Sequence, residues 1–151
     1  SRGLGDVYKR QAFTQRFLKL AADEIIPEQM TPQIDIDAVL DLQDINSKFM
    51  SELKKMNPFG PDNQKPVFCS LGVKDYGTSK LVGKDLEHIK LELIDDKSNT
   101  PIHGIAFGMH QHNTHIKNMK PFNICYTIEE NTYNGNTSLQ LMVKDIKEND
   151  I

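Results

Sequence analysis

The chain holds 151 residues with 18 basic and 21 acidic side chains, a net charge of −3, and 38% apolar residues. That length suits one domain, or a small domain with part of another, and the apolar share is enough for a packed core. No apolar run approaches the ~18 residues that a membrane-spanning helix needs, and the acidic balance argues against a surface that binds nucleic acid over its whole extent.

The first eleven residues, SRGLGDVYKRQ, have no starting Met, and DVYKRQ reads as the translation of a transposon end used in sequencing libraries. Residues 1–11 are therefore set aside as a non-native, disordered leader, with a genuine basic arm as the alternative. The natural protein is expected to extend upstream of Ala12.

From Ala12 to Ile26, Phe13, Phe17, Leu20, Ala21 and Ile25 follow helical spacing, and Pro27 closes the segment. In TPQIDIDA, Ile34 and Ile36 alternate with polar neighbours, which suits a short strand over 31–38. Asp44 is a good N-cap for a helix reaching about Met56, with Ile45, Phe49, Leu53 and Met56 on one face. A helix, a strand and a helix of this length bury one another poorly, so residues 12–57 read as the trailing end of a larger α/β domain. Whether Ile34 and Ile36 pair with a sheet outside this chain stays open; such pairing would leave an apolar edge here.

At LKKMNPFGPDNQKPVF the pattern changes. Pro58 and Pro61 stop the helix, and Gly60 and Asn63 supply turns, so 58–66 is a linker. Beyond it five strands are predicted. Val67, Cys69, Leu71 and Val73 alternate in the first, and Ile89, Leu91 and Leu93 in the second. The third runs from Ile102 to Gly108 and is more evenly apolar. HQHNTHIKNM then suits a short helix ending before Pro121. The fourth strand places Phe122, Ile124, Tyr126 and Ile128 on one face, and the fifth does the same with Leu139, Leu141 and Val143. Asn134-Gly135 between them is a strong hairpin signal.

Three strands, a helix and two strands is the order of an OB-fold, a small Greek-key barrel that often binds oligonucleotides. An SH3-like barrel is the structural competitor, and the helix between strands three and four favours the OB order. The fold class is thus α+β: a small α/β remnant followed by a five-stranded antiparallel OB-fold β-barrel over 67–147, with 148–151 as a tail.

Charge is uneven along the chain. Residues 12–64 carry five basic against nine acidic side chains, whereas 65–147 carry ten lysines against nine acids. The second half thus permits a local basic groove. Cys69 and Cys125 have no metal-like spacing and no secretory signal precedes them, so both are expected as free, mostly buried thiols in a cytoplasmic protein.

The stretch LKKMNPFGPDNQKPVF also resembles the start of the C-terminal nucleic-acid-binding domain of the RecJ family, single-strand-specific 5′ to 3′ DNA exonucleases of bacteria. EQMTPQIDIDAVL, LVGKDLEHIKLEL, PIHGIAFGM and ENTYNGNTSLQLMVKDI resemble the same family in order and spacing, so the likeness spans nearly everything from Ala12 to Ile146. It implies that residues 12–57 are the end of a DHHA1-like domain and that the second half helps hold single-stranded DNA in repair and recombination. Family members cut DNA with a metal centre, usually manganese or else magnesium, in an upstream domain with a DHH signature, followed by a domain with a GGH signature. This chain contains neither signature. The resemblance therefore implies no catalytic residue and no cofactor here, an inactive fragment on its own, and single-stranded DNA and the upstream catalytic domains of the same chain as partners. A role in protein docking or in bracing those domains, without DNA affinity, is the alternative. No membrane partner is implied.

Lysines for phosphates and aromatics for bases are what an OB groove needs. Lys84, His88 and Lys90 lie an even number of residues apart, so on an extended strand they share one face opposite Ile89 and Leu91; a plain solvated strand face is the competing reading. Tyr133 beside the hairpin turn is a stacking candidate, or packs on its own hairpin, and Lys144 is a weaker phosphate candidate. Phe59 is expected to pack the two halves together. His110, His112 and His115 raise zinc or nickel binding, but zinc sites draw ligands from separated elements and none is spaced to help, so a surface helix is preferred and no metal site is assigned.

Overall fold

The computed structural model describes residues 33–149. In chain order these form β1 (Ala38–Val39), a 3-10 turn at Leu42–Asp44, α1 (Ser47–Lys54), β2 (Phe68–Asp75), β3 (Lys80–Val82), β4 (His88–Ile94), β5 (Ile102–Ala106), a 3-10 turn at His110–His112, α2 (Asn113–Lys117), β6 (Phe122–Tyr133) and β7 (Asn136–Glu148). The class is α+β, as expected, with seven strands in one sheet and two short helices. The expected helix over 12–26 lies outside the described residues. Among those described, no helix is long and apolar enough to cross a membrane.

The sheet order is β1-β2-β6-β7-β5-β4-β3, and β2 also pairs β4 through Lys74–Ile94 and Asp75–Leu93. Strands β2, β6, β7, β5 and β4 therefore pair in a ring. Two pairings are parallel, β5 with β7 and β1 with β2, so the all-antiparallel expectation is corrected. Parallel β5 and β7 need a long connection between them, which α2 and β6 supply. Gly104 of β5 lies so close to β7 that a Cβ there would stand 3.2 Å from the Leu141 carbonyl oxygen. A side chain there would require the two backbones to part by a few tenths of an ångström.

Alternation holds where it was cleanest. Ile89, Leu91 and Leu93 of β4 and Phe122, Ile124, Tyr126 and Ile128 of β6 are all buried in one core. It fails in β2, where Phe68 and Val73 enter the same core although five residues apart. A bulge between Ser70 and Val73 makes this possible, with Gly72 at φ +64°, and it turns Leu71 outward instead of inward as predicted. A second bulge in β7 inserts Lys144, so that Val143 and Ile146 both face the core.

The N-terminal segment departs most from expectation. The predicted strand at 31–38 is reduced to Ala38–Val39, which pairs with Phe68–Cys69 along the part of β2 that β4 does not reach. Ile36 does not await another sheet: it packs on Cys69 and Cys125, which face each other across β2 and β6 on the side away from the main core. Both thiols are free, and Cys69 titrates above its ordinary range because of its hydrogen bond with Cys125 and its burial. Leu42, Ile45 and Leu53 join the main core on its other flank. Asn46, not Asp44, caps α1, its side chain accepting the Phe49 N–H at 2.9 Å. Buried Ser70 links the layers, its hydroxyl lying 2.7 Å from both the Leu40 carbonyl and the Tyr126 hydroxyl.

Candidate nucleic-acid interface

The outer face of β3, β4, β5 and β7 follows from the register. Lys80 of β3 lies opposite Lys90 of β4, which lies opposite Ile105 of β5, which lies opposite Met142 of β7. Both lysines are exposed, and neither is ion-paired with a described residue. Two like charges directly opposite each other cost stability, about 0.2–1 kcal/mol. The register thus leaves two positive charges side by side on this face without an acidic partner among the described residues. Lys80 is not singled out by the sequence reading, which sees no separate strand between Val73 and the stretch carrying Lys84, His88 and Lys90. The available signal was KLV between Gly77 and Gly83, whose φ angles of +116° and +99° bracket a short strand.

The five residues chosen from the sequence fare differently. Lys90 is where it was placed, outward between inward Ile89 and Leu91. Lys84 is exposed but lies in the Gly83–Leu86 turn, since β4 begins only at His88, and the even-spacing argument does not reach it. His88 shares the face with Lys90 yet is already engaged. Its Nδ1 accepts the Gly108 N–H at 2.9 Å, its Nε2 lies 3.1 Å from Glu87 Oε1, and its ring meets Phe107 edge-on at 5.0 Å. A ring nitrogen that accepts carries no proton, so His88 in this arrangement holds neighbours rather than a phosphate. Lys144 is exposed at its bulge. Tyr133, 75% exposed, pairs with Asn136 at the tip of the β6–β7 hairpin. From there to Met142, level with Lys90, is six residues of strand, roughly 20 Å. The structure does not bring Tyr133 to the lysines.

Acidic groups bound the face. Two residues along from Lys90, Glu92 is bonded to Thr78 and lies 3.4 Å from His103 Nδ1. Glu87 accepts the Asp85 N–H at 2.9 Å. Its carboxyl titrates below the ordinary range, held there by its own backbone N–H and then, against some burial, by that of Asp85 and by His88 and His110. A Cβ at Gly83 would stand 2.9 Å from this carboxylate, the movable end of a flexible side chain, so it is the φ of +99° rather than space that favours glycine in the turn.

With this geometry in hand, comparison with known proteins is decisive. The family model for the RecJ OB domain matches residues 36–145. The chain belongs to the RecJ OB domain family. Its curated relatives include the single-stranded-DNA-specific exonuclease RecJ of Salmonella typhimurium, 24% identical over 92% of this chain and 23% of that protein. The RecJ of Haemophilus influenzae is 25% identical over 89% of this chain and 23% of its own length. The chain thus spans about a quarter of the curated relatives it matches. Crystal structures of Thermus thermophilus RecJ with Mg2+ and with Mn2+ superpose with TM-scores of 0.59 and 0.58 at 17% identity, covering 93% of this chain and 20% and 19% of theirs. At that identity they show a shared fold.

One buried carboxylate organises the turn that leads to Lys80 in this RecJ OB domain. Asp75, fully buried at the end of β2, accepts the Ser79 N–H at 3.1 Å. Lys117 of α2 lies 3.5 Å from its other oxygen and donates to the Ser79 carbonyl at 2.7 Å. Burial raises the carboxyl's pKa, but the Ser79 hydroxyl, the N–H groups of Gly77 and Ser79 and the Lys117 charge outweigh it, and the net value is lowered. A folded value below the unfolded one stabilises the protein above about pH 4 and is lost as pH falls through the folded value. Asp75→Asn is therefore expected to cost about 1–3 kcal/mol at pH 7. In urea titrations its deficit should shrink below about pH 4; a deficit constant down to pH 2 would refute the charge as its source.

The histidine cluster of the RecJ OB domain is a clasp. His112 Nδ1 lies 2.8 Å and His115 Nδ1 3.5 Å from the two oxygens of Glu148, and His115 Nε2 lies 3.0 Å from the Pro121 carbonyl. The carboxylate at the end of β7 thereby ties down α2, and His115 is buried rather than on a surface helix. Among the described residues, no group of three or more His, Cys, Asp and Glu is arranged to hold a metal ion.

Proposed function

We propose that this RecJ OB domain is the single-stranded-DNA-binding part of a RecJ-like 5′ to 3′ exonuclease, acting in cytoplasmic DNA repair and recombination. The observation that carries the reading is the exposed, unpaired Lys80–Lys90 couple on the outer face. Two ammonium groups held side by side on rigid strands suit the phosphates of one strand, and the half-buried Val82, Ile105 and Met142 beside them offer apolar surface to bases. In this reading the ring of strands closes as an OB-type barrel. Of residues 12–57, those before Ile36 mark where a DHHA1-like domain hands over to it, those from Ile36 onward belong to the OB core, and the metal-dependent cut is made upstream, by residues this chain lacks. The named relatives are exonucleases specific for single strands, which supports the same reading.

The test is a fluorescence-anisotropy titration of the chain with labelled oligo-dT and with a matched duplex, at two salt concentrations. Binding should favour the single strand and weaken with salt, log K falling with log salt at about −0.7 per neutralised phosphate. Equal affinity for duplex would refute single-strand preference.

A second reading, bracing or docking, is favoured by a groove floored by Met50, Leu53, Phe59, Pro66 and Ile128. The ion pairs Lys54–Glu130 at 2.8 Å and Lys65–Glu129 at 3.0 Å stand at its rim and fasten the hairpin to the junction. A folded chain without single-strand affinity would select this role.

A further inference from the structure

We infer that a DNA base stacks on Phe107, so that the single strand crosses the outer face at its Gly83–His88 end and leaves the β6–β7 hairpin tip untouched. The inference rests on the single-strand reading and adds to it a path and a contact residue.

Phe107 follows β5 directly and is 56% exposed, a large apolar ring that the core does not claim. One neighbour orients it. His88, from the outer face of β4, meets it edge-on at 5.0 Å with an interplanar angle of 77°. His88 is itself pinned on both nitrogens, by the Gly108 N–H at 2.9 Å and by Glu87 at 3.1 Å. An aromatic ring held in one orientation loses little freedom when a base covers it, which is what a stacking platform requires. His88 is thus a positioning residue, not a phosphate ligand.

Charge sets the direction. Lys90 lies two residues from His88, roughly 7 Å along β4, so the Lys80–Lys90 couple and the Phe107 ring are within reach of one short stretch of single strand. In the opposite direction along the face comes Glu92, with His103 and Thr78 against it. A phosphate moving that way would meet a carboxylate. The hairpin tip with Tyr133 lies beyond it, on a ribbon whose base carries Glu129 and Glu130.

The chain contains no tryptophan, so Phe107→Trp and Tyr133→Trp each install a sole tryptophan, which can be excited selectively over the tyrosines. Titrated with oligo-dT, F107W emission should be quenched while Y133W stays unchanged. F107A should weaken binding about 5- to 150-fold, the range for losing one stack, and Y133A less than twofold. H88A should weaken binding less than F107A and show no further loss when combined with it. Circular dichroism confirms that each variant is folded, and Phe107→Leu serves as a milder second variant. Quenching at Y133W with F107W silent, or F107A and F107L binding like wild type, overturns the path while leaving single-strand binding intact. Absence of oligo-dT binding by the unaltered chain overturns the single-strand reading itself, and this inference with it.

Discussion

A chain starting at Pro58, without β1 and α1, is expected to be unfolded or nearly so. Four apolar side chains from the missing stretch, Ile36, Leu42, Ile45 and Leu53, are almost completely buried against the strands. At about 1.5–3 kcal/mol each they represent roughly 6–12 kcal/mol. That is comparable to the ~5–15 kcal/mol by which whole domains are stable. The deletion also strips polar partners. The Ser70 hydroxyl loses the Leu40 carbonyl, Asp95 loses the Leu42 N–H at 2.8 Å, and the Val67 N–H loses the Asp37 carboxylate at 2.9 Å. Urea unfolding followed by circular dichroism decides the matter. A cooperative transition at an unchanged midpoint would show that residues up to 57 are an appendage rather than part of this core.

Reversing the charge of Lys80 should separate binding from stability. In the native pair two ammonium groups face each other, and K80E converts that repulsion into a cross-strand ion pair with Lys90. Stability should rise by about 0.2–1 kcal/mol. Binding should move the other way, with oligo-dT affinity falling roughly tenfold and the salt slope flattening by about 0.7. The double variant K80E/K90E should restore like-charge repulsion, lose the stability gain, and flatten the slope by about 1.4. A K80E protein that is both more stable and a weaker binder would identify the lysine pair as kept for an anion. Unchanged affinity in K80E/K90E would remove these lysines from the interface.

How much of this was legible depended on whether local pattern and tertiary contact agree. Strands β4 and β6 were readable because each presents one face to the core for its full inward run, and Ile89, Leu91 and Leu93 alternate without interruption. The hairpin was readable because Asn134 and Gly135 take φ angles of +50° and +79°, which few other residue pairs adopt cheaply. The site was half legible. Lys90 was found by parity on its strand, but Lys80 was hidden because β3 is three residues long and exists through pairing with β4. Phe107 looked like one more apolar residue of a strand, and only its exposure sets it apart. His88 had the right parity, but its ring is engaged by Gly108 and Glu87, partners from outside that strand's alternation.

The sequence by itself determined the order of the five longer strands and of the short helix before the fourth, the break at Pro58, the inward faces of β4 and β6 and the kinship with RecJ, since these rest on side-chain periodicity, proline chemistry and residue identity. Tertiary structure alone decided which strands are neighbours, where the bulges at Leu71–Gly72 and Lys144 reset the faces, and which lysines stand together. The reason is physical. A strand's alternation encodes what is buried, but not against which strand. Register is set by contacts between residues far apart in the chain, such as Gly104 closing on Leu141 or Ile36 covering Cys69 and Cys125.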